Sequence, residues 1–132
     1  MLRTVYIPEG YEKLFDVFCL AIVQASGGKG SERHADGEPF EKQPICKGAR
    51  RFGIGACLFQ AWKKIHEVPV LYTMDDGDNR ALCELYGAIN YAAACVIVIE
   101  ENMYKPAING EEEIDNEISR PASQLLGDGQ DC

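Results

Sequence analysis

The stretch RALCELYGAINYAAACVIVIEEN, residues 80–102, decides the fold. Its apolar side chains recur at the spacing of one helical face, so it predicts a long helix. From Ala92 to Ile99 the residues are apolar on every side, and a helix of that kind has to be covered all round. A chain of 132 residues offers few elements to do this. We therefore expect a second subunit to cover it. A β-strand at 96–99 is the alternative, although the alanine triplet 92–94 prefers a helix.

The N-terminal part of the chain carries two further patterns. Residues 2–7 alternate and are rich in β-formers, which predicts a short strand or hairpin ended by Pro8. From Tyr11 to Ala25 the apolar residues follow a helical stripe. Two glycines at 27 and 28 end that helix.

The middle of the chain predicts two shorter helices before the long one. Residues 45–52 read as the first, and residues 56–68 as the second, with Pro69 ending it. The second helix is expected to turn Phe59, Trp62 or Ile65 inward. These elements predict one α+β domain over residues 1–132, mostly helical, with an ordered core to about residue 122 and a mobile C-terminal end.

Composition places the chain among soluble globular proteins. It is 46% hydrophobic and carries a formal charge of −8, so it is acidic without being disordered. The charge is uneven, since residues 42–66 hold six cations and no acid, whereas 111–117 reads EEEIDNE. An acidic surface repels long nucleic acids, and a local basic concavity suits a small anion better.

The cysteines indicate a reducing compartment. Six are present, none in a CxxC pair, and most stand within apolar stretches. Residues 1–10 lack the apolar core of a secretory signal. The apolar run 91–99 is too short to span a membrane. We therefore expect reduced, mostly buried thiols in a cytoplasmic protein that has no membrane partner.

A glycine-rich stretch, GGKGSERHADGEPFEKQP at 27–44, follows the first helix. It fails the Walker A pattern and the dinucleotide fingerprint. Backbone amides of a glycine-rich loop with Lys29 and Arg33 nearby can still bind an anion. The alternative is a plain connection whose charges are solvated.

The basic block offers a second candidate anion site. Arg50 and Arg51 precede a glycine-rich break, and Lys63 and Lys64 follow on the next helix. Arginine pairs bidentately with phosphate oxygens. A solvated helix face is the competing interpretation. Base-stacking candidates are Tyr86, Tyr91 and Tyr104, for which packing in the core is the more common role.

An enzyme is the main alternative function. The only histidines, His34 and His66, have no zinc-ligand spacing, so no metal or other cofactor is expected. An all-helical nucleotide pyrophosphatase of the MazG type would hold magnesium with ExxE and ExxD carboxylate pairs. The first helix offers only Glu12 and Asp16, and neither it nor the last helix has that spacing.

The loop and the helices after it resemble a known family. The segment GKGSERHADGEPFEKQPICKGARRFGIGACLFQAWKKIHE, followed by LYGAINYAAACVIVIEEN, is similar to the Thoeris anti-defence family, the Tad1-type phage sponges. The resemblance spans roughly residues 28–104. It departs from the family pattern at GKGS, where GKGK is expected, and at GACLFQAWKK, where GQAxKK is expected.

This resemblance implies a function without catalysis. Such proteins capture a cyclic ADP-ribose isomer made by a TIR-domain immune protein in the cytoplasm of the infected bacterium. Some also hold cyclic oligonucleotides at separate sites. The family assembles dimers into a hexamer, a trimer of dimers, with ligand at subunit interfaces.

The resemblance also implies ligand-binding residues. The glycine-rich loop would contribute Lys29, Arg33 and His34, with Arg33 matching the family's loop arginine. Tyr91 stands where a stacking phenylalanine is expected, so that match is the weaker one. Asn102 would come from the end of the last helix and Arg120 from the C-terminal arm. The basic residues Arg50, Arg51, Lys63 and Lys64 would form the second anion site.

Overall fold

The computed structural model describes residues 2–27 and 37–105, and these are all-helical. The first helix, α1, spans Glu12–Gly27. A 3₁₀ turn at Phe40–Lys42 leads into α2, Pro44–Phe52. Two longer helices follow, α3 at Gly55–Tyr72 and α4 at Asp78–Met103.

The prediction of an α+β fold with an N-terminal strand is wrong. No strand occurs in the described residues, and residues 2–8 have no regular secondary structure. Nearly all of that segment is exposed to solvent. A strand needs a neighbour for its amide and carbonyl groups, and no described segment supplies one. The alternation of β-formers is therefore a local preference with no partner strand among the described residues.

Helix α4 is the centre of the fold, with α3, α1 and α2 all packed against it. Its buried positions are small, among them Ala81, Gly87, Ala88 and Ala94. Small side chains let neighbouring helix backbones approach closely. The predicted helix at 80–102 is confirmed, and residues 96–99 are helical within it.

A short turn at 73–77 joins α3 and α4 into an antiparallel hairpin. Gly77 makes this turn possible, because a β-carbon there would lie 1.7 Å from the carbonyl oxygen of Leu71. Asp76 takes the left-handed conformation at φ 57°, which short polar residues tolerate best. Any side chain at 77 would force the hairpin to open.

The core lies where α2, α3 and α4 meet. Its buried members are mostly small residues and thiols: Cys46, Ala49, Cys57, Ala94, Cys95 and Val98. Phe40, Ile45 and Tyr91 pack around them. Burial raises the pKa of all three thiols, as expected for groups removed from water.

Two expectations for α3 need correction. The helix passes Pro69 and ends at Tyr72; the proline removes one N–H from the helix hydrogen bonds, and the packing of α3 on α4 keeps the last turn helical. Phe59, Trp62 and Ile65 are all exposed, whereas Cys57 and Leu71 are buried. The side of α3 that faces α4 is therefore the side that carries Cys57 and Leu71. It lies about 100° around the helix from the side that carries Trp62 and Ile65.

Helix α4 is also long and apolar enough, by length and composition, to cross a membrane, with a mean hydropathy of 1.8 in its most apolar window. The core helix of a soluble protein passes the same test. Three other helices pack on α4, and its Glu84 forms an ion pair with α3. This arrangement is consistent with a soluble protein.

Candidate functional site

A groove of about 1060 Å³ opens on one side of the α3–α4 hairpin. Its walls come from the C-terminal end of α1, the segment from Phe40 to Ala49, and the facing sides of α3 and α4. This is at the upper end of the range for small-molecule pockets. It is large enough for a mononucleotide or dinucleotide.

Two amide side chains attach α1 to α4 along the groove. Gln24 donates from Nε2 to the carbonyl oxygen of Cys83 at 2.9 Å, and Asn90 donates from Nδ2 to that of Ala21 at 3.0 Å. Both residues line the groove. No hydrogen bond among the described residues uses either amide oxygen, so each can serve as a hydrogen-bond acceptor for a ligand.

An ion pair lies in the groove wall. Lys64 Nζ and Glu84 Oε2 are 2.8 Å apart, and both side chains are about three-quarters buried. The lysine stem crosses the bare backbone of Gly87. Arg80 and Glu67 add one charge of each sign to the lining. The groove therefore presents fixed charges of both signs.

Tyr91 and Cys57 form the part of the groove nearest the core. Tyr91 is partly buried and packs against the core cluster, which holds its ring in place. Cys57 donates from Sγ to the carbonyl oxygen of Ile45 at 3.3 Å. Burial raises its pKa to about 11, so it is a thiol at neutral pH and a poor nucleophile.

Of the six residues predicted to bind ligand, two are described. Lys29, Arg33, His34 and Arg120 lie outside the described residues. Tyr91 lines the groove, whereas Asn102 is exposed and does not. Asn102 stands three turns beyond Tyr91 on α4, about 16 Å along the axis. Within one protomer the structure does not bring these two residues together.

The four cations of the predicted second site are also dispersed. Arg50 forms a bidentate pair with Glu101, at 2.8 and 2.7 Å, while Lys64 pairs with Glu84. These two glutamates are separated by about 25 Å along α4. Arg51 and Lys63 are exposed, and the Arg51 guanidinium lies 5.7 Å from the centre of the Phe52 ring. One small anion cannot contact all four within a protomer.

Among residues 2–27 and 37–105, no three or more His, Cys, Asp or Glu side chains gather in a way that could hold a metal ion. The groove has two carboxylates, Glu67 and Glu84, and the second is engaged by Lys64.

The amide residues of the groove, Gln24 and Asn90, are not among the residues predicted from the sequence. Asn90 interrupts the most apolar helix of the chain, in AINYAAA, and an isolated polar residue in such a run signals a specific hydrogen bond. Gln24 sits one turn before the end of α1 and carried no comparable signal. Lys64, one of the four cations of the predicted second anion site, lines the groove.

No family model matches the chain, and neither any curated protein nor any solved structure is detectably similar to it. The Thoeris anti-defence resemblance therefore stays a prediction from the loop and helix motifs.

Proposed function

We propose that this protein is a sponge that binds and sequesters, without cleaving it, a cyclic ADP-ribose isomer (gcADPR) made by TIR-domain immune proteins. It would act as a phage anti-defence protein in the cytoplasm of the infected host. The observation that carries the proposal is the groove beside the α3–α4 hairpin, whose volume and lining suit a compact nucleotide.

The lining offers the contacts that such a ligand needs. A cyclic ADP-ribose isomer has an adenine, two riboses and a pyrophosphate. The Tyr91 ring can stack on the base, and the amide oxygens of Gln24 and Asn90 can accept from ribose hydroxyls or an exocyclic amine. Arg80 and Lys64 are the groove's cations for the pyrophosphate, with Lys64 shared with Glu84.

The glycine-rich stretch is connected on both sides to residues that line the groove. Ala25 and Phe40 both line the groove and stand on either side of residues 28–36 in sequence. Arg33 is eight residues from Ala25 and seven from Phe40, so an extended chain could carry it about 25 Å from either. The groove is therefore within its reach, which supports Arg33 as the arginine that meets the pyrophosphate.

Retention of the ligand rather than hydrolysis is favoured by the chemistry of the described lining. Cys57 is held as a thiol, and Glu84 is paired with a cation. A general base must lie within hydrogen-bond distance of the proton that it removes, and its pKa must suit that transfer. A paired carboxylate and a buried thiol serve that transfer poorly, which leaves Glu67 as the one carboxylate of the lining without an ion pair among the described residues.

The experiment measures binding and the fate of the ligand together. Purified protein is titrated with the cyclic ADP-ribose isomer by calorimetry, then heat-denatured, and the released small molecule is identified by mass spectrometry. The proposal expects tight binding and recovery of intact ligand. A cleaved product, above all one that requires magnesium, would favour the pyrophosphatase alternative.

Two variants locate the site. Asn90→Ala removes an amide that lines the groove, and Asn102→Ala removes one from the same helix outside it. Weaker binding with the first alone places the ligand in the groove. Weaker binding with Asn102→Ala alone would move the site to the end of α4, as the resemblance implies.

A further inference from the structure

Glu67 brings an unpaired carboxylate into the wall of the groove. Among the described residues it takes part in no ion pair, whereas Glu84 is paired with Lys64. Lys63 stands four residues before it, at the spacing of a helical ion pair, yet the two form none. Glu67 is also exposed. Its carboxylate is therefore open to a ligand in the groove.

A free carboxylate restricts which part of a ligand can lie beside it. The proposed ligand carries a pyrophosphate, and like charges in contact repel each other. An ionised carboxylate can only accept hydrogen bonds. The part of the ligand next to Glu67 must therefore be a neutral group that donates hydrogen bonds.

The register of the α3–α4 hairpin separates Glu67 from Tyr91. The Lys64 side chain crosses Gly87 and so marks one level of the hairpin. Glu67 lies three residues further along α3, towards the turn at 73–77, and Tyr91 lies four residues further along α4, away from that turn. Because the helices are antiparallel, the two steps run in opposite directions and add up to about 10 Å along the hairpin axis.

This separation selects one part of the ligand. With the adenine stacked on Tyr91, the exocyclic amine of the base lies at the aromatic end of the groove. Lys64 and Arg80 are the cations for the pyrophosphate. The second ribose is the part that remains, and it carries two vicinal hydroxyls.

A ribose diol suits a carboxylate chemically. Its two hydroxyls can donate to the two carboxylate oxygens at once, and hydrogen bonds to an ionised acceptor are the stronger kind. Dinucleotide-binding domains likewise use an acidic side chain to accept from a ribose hydroxyl. The first ribose of a cyclic isomer closed through one of its own hydroxyls has lost such a pair.

We propose that Glu67 is a specificity-determining residue of the groove, which accepts hydrogen bonds from the vicinal hydroxyls of the ligand's second ribose. The inference rests on the proposed function, because it assigns one part of that ligand to one side chain. Glu67 then rejects a ligand phosphorylated on this diol, since two negative charges would meet. It also disfavours a ligand that lacks one of the two hydroxyls.

The experiment combines a change in the ligand with a change in the protein. Full-length wild type and Glu67→Gln are titrated by calorimetry with the cyclic ADP-ribose isomer and with an analogue in which hydrogen replaces one hydroxyl of the second ribose. Wild type should bind the intact ligand about ten- to a hundredfold more tightly than the analogue, as expected for a hydrogen bond to a charged group. Glu67→Gln should lose most of this preference, because an amide offers one uncharged oxygen.

Glu100→Gln is the matched control. It removes the same charge from an exposed position on α4 that does not line the groove. Both variants make the protein less acidic towards an anionic ligand, so only a direct contact distinguishes them. Glu100→Gln should keep the wild-type preference for the diol. An equal loss of preference in both variants would contradict the inference.

The remaining outcomes separate this inference from the proposed function. If wild type binds neither the isomer nor its analogue, both fail together. If wild type binds the isomer tightly and Glu67→Gln keeps the full preference for the diol, the groove still holds the ligand and only the role of Glu67 is wrong. Equally tight binding of an isomer phosphorylated on the second ribose would likewise overturn this inference alone.

Discussion

Lys64 of α3 lies directly across Gly87 of α4. A β-carbon at position 87 would come within 2.8 Å of Lys64 Cε and 2.9 Å of its Cδ. The missing side chain is what lets the lysine stem cross the helix and place its ammonium 2.8 Å from Glu84. The glycine at position 87 therefore determines where the ammonium group of Lys64 lies in the groove.

Gly87→Ala should move Lys64 and change ligand binding more than stability. Alanine in place of glycine in a helix interior raises the free energy of unfolding by about 0.5–1 kcal/mol. At position 87 part of this stabilisation is lost, because the Lys64 side chain has to move. Gly48→Ala in α2 is the control, since its β-carbon would meet nothing within 4 Å. Denaturant unfolding should show a larger gain for Gly48→Ala. An equal gain at both positions would mean that Lys64 moves at no cost.

Glu101→Gln should lower stability at neutral pH and lose its effect in acid. The hydrogen bonds from Arg50 hold the pKa of Glu101 below its ordinary value of 4.5. A depressed carboxylate pKa stabilises the fold above that range, and the contribution disappears as pH falls through the folded-state pKa. The side chains are 35% and 37% exposed, so we expect only about 0.2–1 kcal/mol.

The check is chemical denaturation of wild type and variant from neutral to acid pH. Glu100→Gln, at the neighbouring exposed position, should leave stability nearly unchanged throughout. A Glu101→Gln difference that grows toward low pH would contradict the assigned role of the pair.

Gln24→Ala should loosen α1. The substitution removes the bond to the Cys83 carbonyl, and a hydrogen bond of this kind contributes about 0.5–1.5 kcal/mol. Gln60→Ala is a matched control, since Gln60 lines the same groove and makes no side-chain hydrogen bond among the described residues. Thermal unfolding should separate the two variants. Similar losses in both would assign the effect to helix propensity instead.

Arg33→Ala and Arg120→Ala should each weaken capture of the cyclic ADP-ribose isomer. A hydrogen bond to a charged group contributes about 1.5–3 kcal/mol, or one to two decades in affinity. Calorimetric titration measures this, with Lys63→Ala as the control because that exposed lysine does not line the groove. If both arginine variants bind like the wild type, the glycine-rich stretch is only a connector.

Arg51→Ala tests the second anion site. Its guanidinium is exposed and lies over the Phe52 ring, whereas Arg50 is already paired with Glu101. If cyclic di- or trinucleotides bind this surface, Arg51→Ala should reduce the measured affinity while Arg50→Ala mainly lowers stability. The absence of heat with every such ligand would mean a solvated basic face.

The helices of this protein could be predicted from local pattern. The rows of apolar residues before Gly27 and between 80 and 102 predicted α1 and α4 closely, because helix formation depends on neighbours three and four residues apart. The same local reasoning failed at residues 2–7, where a strand depends on a distant partner. It also chose the wrong face of α3, since Phe59, Trp62 and Ile65 were expected inside and are exposed.

The sequence by itself determined a helical chain with a long apolar helix, an acidic surface and a glycine-rich stretch that bears cations. The tertiary structure decided which helix faces meet. It put Cys57 and Leu71 inside and Trp62 outside, and it brought Gln24, Lys64 and Asn90 to one groove across three helices. Burial and charge pairing depend on contacts between residues far apart in sequence, and no single-helix pattern encodes those contacts.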